Sequence, residues 1–131
     1  MTDQPQGATL TATPAETVSW LPIIQRRIRD SILPPDLTET DGCYLTREIA
    51  AAGTDFFATT AAVLPGEPYL DSTYQGDLVA EFSAAHGNLT AIVSTEFVLL
   101  FAATKKMCIT RRVGRGEDVV TEVAQLARII K

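Results

Sequence analysis

Leu78 to Phe82 and Leu89 to Val93 each carry an apolar residue at every second position, with a short turn signal between the two runs. A period of two belongs to strands, because successive side chains of an extended chain point to opposite faces. Leu78, Ala80 and Phe82 fall on one side, with Val79, Glu81 and Ser83 on the other. Leu89, Ala91 and Val93 continue the inward set, and Thr90, Ile92 and Ser94 the outward one. Gly87-Asn88 offers the positive-φ pair that a tight hairpin needs, so the turn between these strands is expected there. Phe97 to Ala103 is apolar on both sides, which predicts a strand in the middle of the sheet. Lys105-Lys106 marks a further turn, and Met107 to Val113 a fourth strand. Tyr69 to Thr73 reads as a short extended piece before the first of them.

On either side of this tract the period is helical. Val18, Leu21, Ile24, Ile28 and Ile32 recur at spacings of three and four, and Trp20 and Ile23 widen the stripe. Thr13-Pro14-Ala15-Glu16 fits a capping box with proline at the first helical position. Arg26, Arg27 and Arg29 suit the C-terminal end of the dipole, and Pro34-Pro35 stops the helix. A second helix is predicted from Thr46, as cap, to about Ala62, with Leu45, Ile49, Ala52, Phe56 and Val63 on one face and Gly53 as a local weak point. After Gly114-Arg115-Gly116, residues Val119, Val123, Leu126 and Ile130 trace a final helix over Glu117 to Ile130. The expectation is one α+β domain over residues 13–131: two N-terminal helices, an antiparallel sheet of about four strands, and a C-terminal helix, with helices on one face. Residues 1–12 read as a flexible arm.

Length and charge bound the function. The 131 residues suffice for one core and not for two domains. No apolar run approaches the roughly 18 residues of a membrane span, and the N-terminus has no signal-peptide pattern, so no membrane association and a cytoplasmic setting are expected. Cys43 and Cys108 make no disulfide framework and no zinc pair, and Cys108 reads as a small core residue of its strand. The net charge of −5 is uneven. Residues 1–104 hold 4 basic and 13 acidic side chains, and residues 105–131 hold 7 basic and 3 acidic. An acidic body repels nucleic acid.

One further pattern carries a likeness. Asp41-Gly42, then Leu45-Thr46-Arg47-Glu48-Ile49, Phe56-Phe57, Pro65 to Pro68 and Gln75 to Phe82 follow one another in that order. Over roughly residues 34–101 this resembles small uncharacterised bacterial proteins in which a Trp-Asp-Gly loop leads to a helix and an antiparallel meander. Thr40 and Phe82 stand where those proteins usually or often carry Trp. Such proteins tend to be encoded in mobile or phage-like gene neighbourhoods. The resemblance implies a small accessory protein and brings no activity with it.

The chemistry-bearing residues are sparse. His86 is the only histidine and precedes Gly87-Asn88, which reads as a surface turn position. Pairing it with Ser72, Ser83 or Ser94 lacks a nucleophile elbow, and a Cys43–His86 dyad is the weaker reading of two thiols. Asp36, Glu39 and Asp41 cluster without the twelve-residue calcium loop. Gly114-Arg115-Gly116 lacks P-loop spacing and reads as a plain turn. No catalytic residue, metal or cofactor is assigned. Tyr69 and Tyr74 form a candidate aromatic patch, and Lys105, Lys106, Arg111, Arg112 and Arg115 a basic one.

The leading expectation is a non-catalytic protein that binds another protein, of the antitoxin, immunity-protein or phage-inhibitor kind. A homodimer is the alternative. Val79 and Ile92, extended by Val98, Leu100 and Ala102, make the outward face too apolar for water, so either helices cover both faces or a second copy covers one. A third reading, a nucleic-acid or phosphate-binding module using the basic C-terminal section, ranks last.

Overall fold

Five strands, each antiparallel to the next, follow one another across the sheet in chain order: β1 (Tyr69–Ser72), β2 (Leu78–Ala84), β3 (Gly87–Val93), β4 (Phe97–Thr104) and β5 (Cys108–Gly114). Among the described residues three helices accompany this meander: α1 (Leu21–Asp30), α2 (Arg47–Thr60) and α3 (Val119–Ile130). The architecture comes from a computed structural model that describes residues 18–32, 44–73 and 76–131. The chain is α+β, and its C-terminal helix is in place. The extended piece at Tyr69 is a full sheet member, so the sheet of the described residues has five strands rather than four. The Thr13–Glu16 cap, the Pro34-Pro35 stop, the Asp36–Asp41 cluster, Cys43, Tyr74 and the arm of residues 1–12 lie outside the described residues.

One side of the sheet is the core. Leu78, Ala80 and Phe82 of β2, Leu89, Ala91 and Val93 of β3, Leu100 and Ala102 of β4, and Val113 of β5 are buried. They meet Ile49, Phe56 and Phe57 of α2 and Val123, Leu126 and Ile130 of α3. Helix α1 lies against α2 and adds Leu21, Ile24 and Ile28 to the same core. The Trp20 ring meets Phe57 edge-on at 6.3 Å. Thr60 is buried, and its hydroxyl donates to the Phe56 carbonyl at 2.7 Å, so its burial leaves no unmet donor.

The helix boundaries have local causes. Helix α1 begins at Leu21, later than the apolar stripe suggests, because Pro22 occupies its first turn. A helix running through from residue 14 would place that proline in its interior, where it removes a hydrogen bond and clashes with the preceding turn. Thr46 caps α2 by accepting from the Ile49 N–H at 3.1 Å. The chain tightens into a 3-10 turn at Ala61–Val63 before the proline-rich link. The buried face of α2 runs through Ile49, Gly53, Phe56 and Phe57. Gly53 is a close-approach position: a Cβ there would stand 2.5 Å from Leu78 Cδ2. Asp118 caps α3, accepting from the Thr121 N–H at 3.1 Å.

Two strand details depart from expectation. The β2–β3 turn is Ala85-His86, with Ala84 paired to Gly87, so Gly87 and Asn88 belong to β3. Ending β3 at Val93 leaves Ser94 to Glu96 free to make the next turn, which the Ser94 N–H closes on the Phe97 carbonyl. Gly87 is needed instead for proximity, since a Cβ would collide with the Ala103 carbonyl and press on Ile130. Cys108 is exposed rather than a core residue, because it pairs with Ala103 on the face away from the helices. The strand most apolar on both sides, β4, is flanked on each side but is not the middle one, which is β3.

Candidate binding surface

The register lines up side chains in rows across the face turned away from the helices. Asp71, Val79, Ile92, Leu99 and Arg112 are successive partners in one row. Tyr69, Glu81, Thr90, Phe101 and Thr110 are successive partners in the next. Phe97 opens β4 on this same side, and the Arg112 guanidinium lies 4.5 Å over its ring. Val79, Ile92, Phe97, Leu99 and Phe101 are half-buried, each shielded by neighbours in the sheet. Among the described residues no helix covers them. Their parity corrects the sequence reading. Val98, Leu100 and Ala102 point into the core, so Leu99, Phe97 and Phe101 extend the outward apolar face in their place.

This face is polarised. Tyr69, 67% exposed, stands at the β1 edge beside the acidic Glu81 and Asp71. Arg112 stands on the opposite edge strand, β5.

The basic residues of the C-terminal section do not form one patch. Lys105 and Lys106 occupy the β4–β5 turn, organised by the Thr104 hydroxyl, which accepts from the Lys106 and Met107 N–H groups at 3.1 Å each. Arg115 is at the other end of the strands, about 25 Å away along the length of β4. Its guanidinium donates to the Thr95 carbonyl at 3.2 Å, and its N–H to the Glu96 carbonyl. Arg111 and Arg112 are adjacent in sequence and point to opposite faces. Arg111 reaches Glu122 of α3 at 3.5 Å, on the helix side. Tyr69 belongs to a different edge from all of them.

A groove of about 710 Å³ opens at the end of the sheet near Ser94. Ala52 and Phe56 of α2, together with Val98, Val113 and Val119, contribute apolar lining, while Glu48, Asp55, Glu96 and Glu117 and the cationic Arg115 contribute charged lining. The Gly114 to Gly116 turn beside it is already filled by a carboxylate. Glu117 Oε1 accepts from the Gly114 N–H at 2.6 Å, where a phosphate oxygen would have to bind. Gly116, at φ +89°, provides the left-handed residue this turn requires. Asp118 is held below its ordinary carboxylate pKa, chiefly by the Thr121 hydroxyl that donates to it at 2.5 Å and then by the Thr121 N–H.

His86 is a fastening residue of the fold. Its ring Nδ1 lies 2.8 Å from the Lys131 carbonyl, and its backbone N–H donates to the Ile130 carbonyl at 2.7 Å. The β2–β3 turn thereby satisfies carbonyls at the C-terminus of α3. Among the described residues no group of His, Cys, Asp and Glu side chains is placed to hold a metal ion, and no helix is long and apolar enough to cross a membrane.

Sequence reasoning missed Phe97, Leu99 and Phe101 as surface residues. The signal that locates them is the length of the β3–β4 turn, which decides whether odd or even positions of β4 face outward. No protein-family model, curated protein or solved structure matches this chain.

Proposed function

We propose that this chain is a non-catalytic binding protein that engages a protein partner through the open face of its sheet. The observation that supports this reading is the cluster of Val79, Ile92, Phe97, Leu99 and Phe101 on a face that no described helix covers. An apolar patch rimmed by charged residues is the usual mark of a protein contact. Antitoxin, immunity protein and phage-type inhibitor all fit a small acidic domain working this way in a cytoplasm, and the exposed thiol of Cys108 suits a reducing compartment.

Capture from the native host tests the reading. Tagged chain retains a defined partner, and Leu99→Asp, with unchanged far-UV dichroism, loses it. Retention of the same partner by Leu99→Asp, or turnover of nucleotides, esters or peptides by the purified chain, overturns the reading.

Self-association is a second reading, and the opposed charges at the two edges of the face favour it. The nucleic-acid reading is weakened by the dispersal of Lys105, Lys106, Arg111, Arg112 and Arg115 over two faces and two ends of the sheet.

A further inference from the structure

We infer that the partner on the open face is a second copy of this chain, packed sheet on sheet about a two-fold axis that runs parallel to the strands along β3. The inference rests on the open-face reading above and adds the occupant and its orientation.

Charge selects both. On this face the acidic side chains Asp71 and Glu81 lie toward the β1 edge, and Arg112 lies on β5 at the other. Two faces stacked about 10 Å apart can be related by a two-fold axis along the strands or across them. An axis across the strands lays β1 over the partner's β1, and so sets carboxylates against carboxylates and Arg112 near its own counterpart. An axis along β3 lays β5 over β1. Arg112 then stands over Asp71 of the other copy, Leu99 over Val79, and Ile92 over its own counterpart, within the roughly 30° offset that aligned sheets adopt. This arrangement pairs Arg112 with Asp71 at both rims and sets Val79, Ile92 and Leu99 together at the centre, and it lays Glu81 over Phe101 of the other copy, where the carboxylate has to reach past the ring to solvent.

The area sets a modest scale. At about 4.8 Å spacing, the four strands of seven or eight residues, each near 23 Å long, and the four-residue β1, near 13 Å, offer roughly 500 Å² of flat face per copy. Two copies therefore cover roughly 1,000 Å² before side-chain relief is counted, just below the range of about 1,200–2,000 Å² for stable pairs. The expected dimer is therefore a weak one, populated at tens of micromolar.

Sedimentation equilibrium of the full chain and three variants tests this. The wild type is a dimer at tens of micromolar. Arg112→Asp and Asp71→Arg each weaken it about tenfold, since each sets like charges against each other in two symmetric places. The double variant Arg112→Asp/Asp71→Arg regains most of the loss. Because Arg112 also stacks on Phe97 within its own chain, Asp71→Arg is the variant free of that contact. A chain that stays monomeric at high micromolar concentration overturns the self-pairing and leaves the capture experiment to judge the open-face reading. Dimers strengthened by Arg112→Asp, or a double variant no better than the singles, overturn the strand-parallel axis.

Discussion

Leu99 and Leu100 are neighbours on β4 with opposite fates. Leu100 is fully buried on the side that α2 and α3 cover, and Leu99 is half-buried on the side without a described helix. The two faces of the sheet differ little in composition near their centres, where Ala91, Leu100 and Phe82 on one side answer Ile92, Leu99 and Phe101 on the other. They differ in what finishes them. The covered face is completed within the chain and sets its stability. The open face stops at a half-buried apolar surface with charged ends, and a surface of that kind is a common mark of a contact with another molecule.

The contrast can be broken most forcefully at β4. Leu100→Ala removes side-chain contacts that no water replaces and lowers unfolding free energy by about 2–5 kcal/mol. Leu99→Ala, one residue away, costs about 1 kcal/mol or less in dilute solution and, on the proposed pairing, acts instead on self-association. Urea unfolding at low concentration separates the two. Near-equal losses would erase the distinction between the faces.

The glycines sharpen it next. Gly87→Ala drives a Cβ into the Ala103 backbone and toward Ile130, at a cost of about 1–3 kcal/mol. Gly53→Ala gains helix propensity of about 1 kcal/mol and loses a comparable amount against Leu78. Thermal unfolding is expected to show a clear drop for the first and a near-neutral result for the second.

A smaller effect belongs to pH. Asp118 has its folded pKa below the ordinary 3.8. Its stabilising contribution is therefore present above that ordinary value and is lost as pH falls through the folded one. Asp118→Asn keeps a capping oxygen and removes the titration, so its urea midpoint changes less than that of the wild type between pH 5 and the acid limit, measured at low salt. The smallest effect is expected from Arg111→Ala, whose ion pair with Glu122 is half exposed and worth about 0–1 kcal/mol.

Much of the covered face was legible in the sequence. Leu78, Ala80, Phe82, Leu89, Ala91 and Val93 all sit where their alternation put them, because a period of two fixes faces within one strand. The error entered between strands. Alternation cannot be carried through a turn whose length is unknown, and the Ser94 to Glu96 turn sent Leu100 inward and Leu99 outward. Gly87-Asn88 misled for a related reason: glycine there answers to the nearness of Ala103 and Ile130, a tertiary demand, rather than to turn geometry. The opposed charges at the edges of the open face were invisible as a pattern, since Asp71 and Arg112 are brought into one row only by three intervening strands.

Cross-linking tests the central claim most directly. In a Cys43→Ser/Cys108→Ser background, cysteine placed by Ile92→Cys faces its own counterpart about 10 Å away across the paired sheets. A bis-maleimide of that span is expected to convert the chain to covalent dimer in high yield. The same reagent is expected to leave Tyr69→Cys monomeric, because an axis along β3 sets the two β1 edges about 20 Å apart. No cross-link at position 92, or efficient cross-linking at position 69, would contradict the account of an open face completed by a second copy.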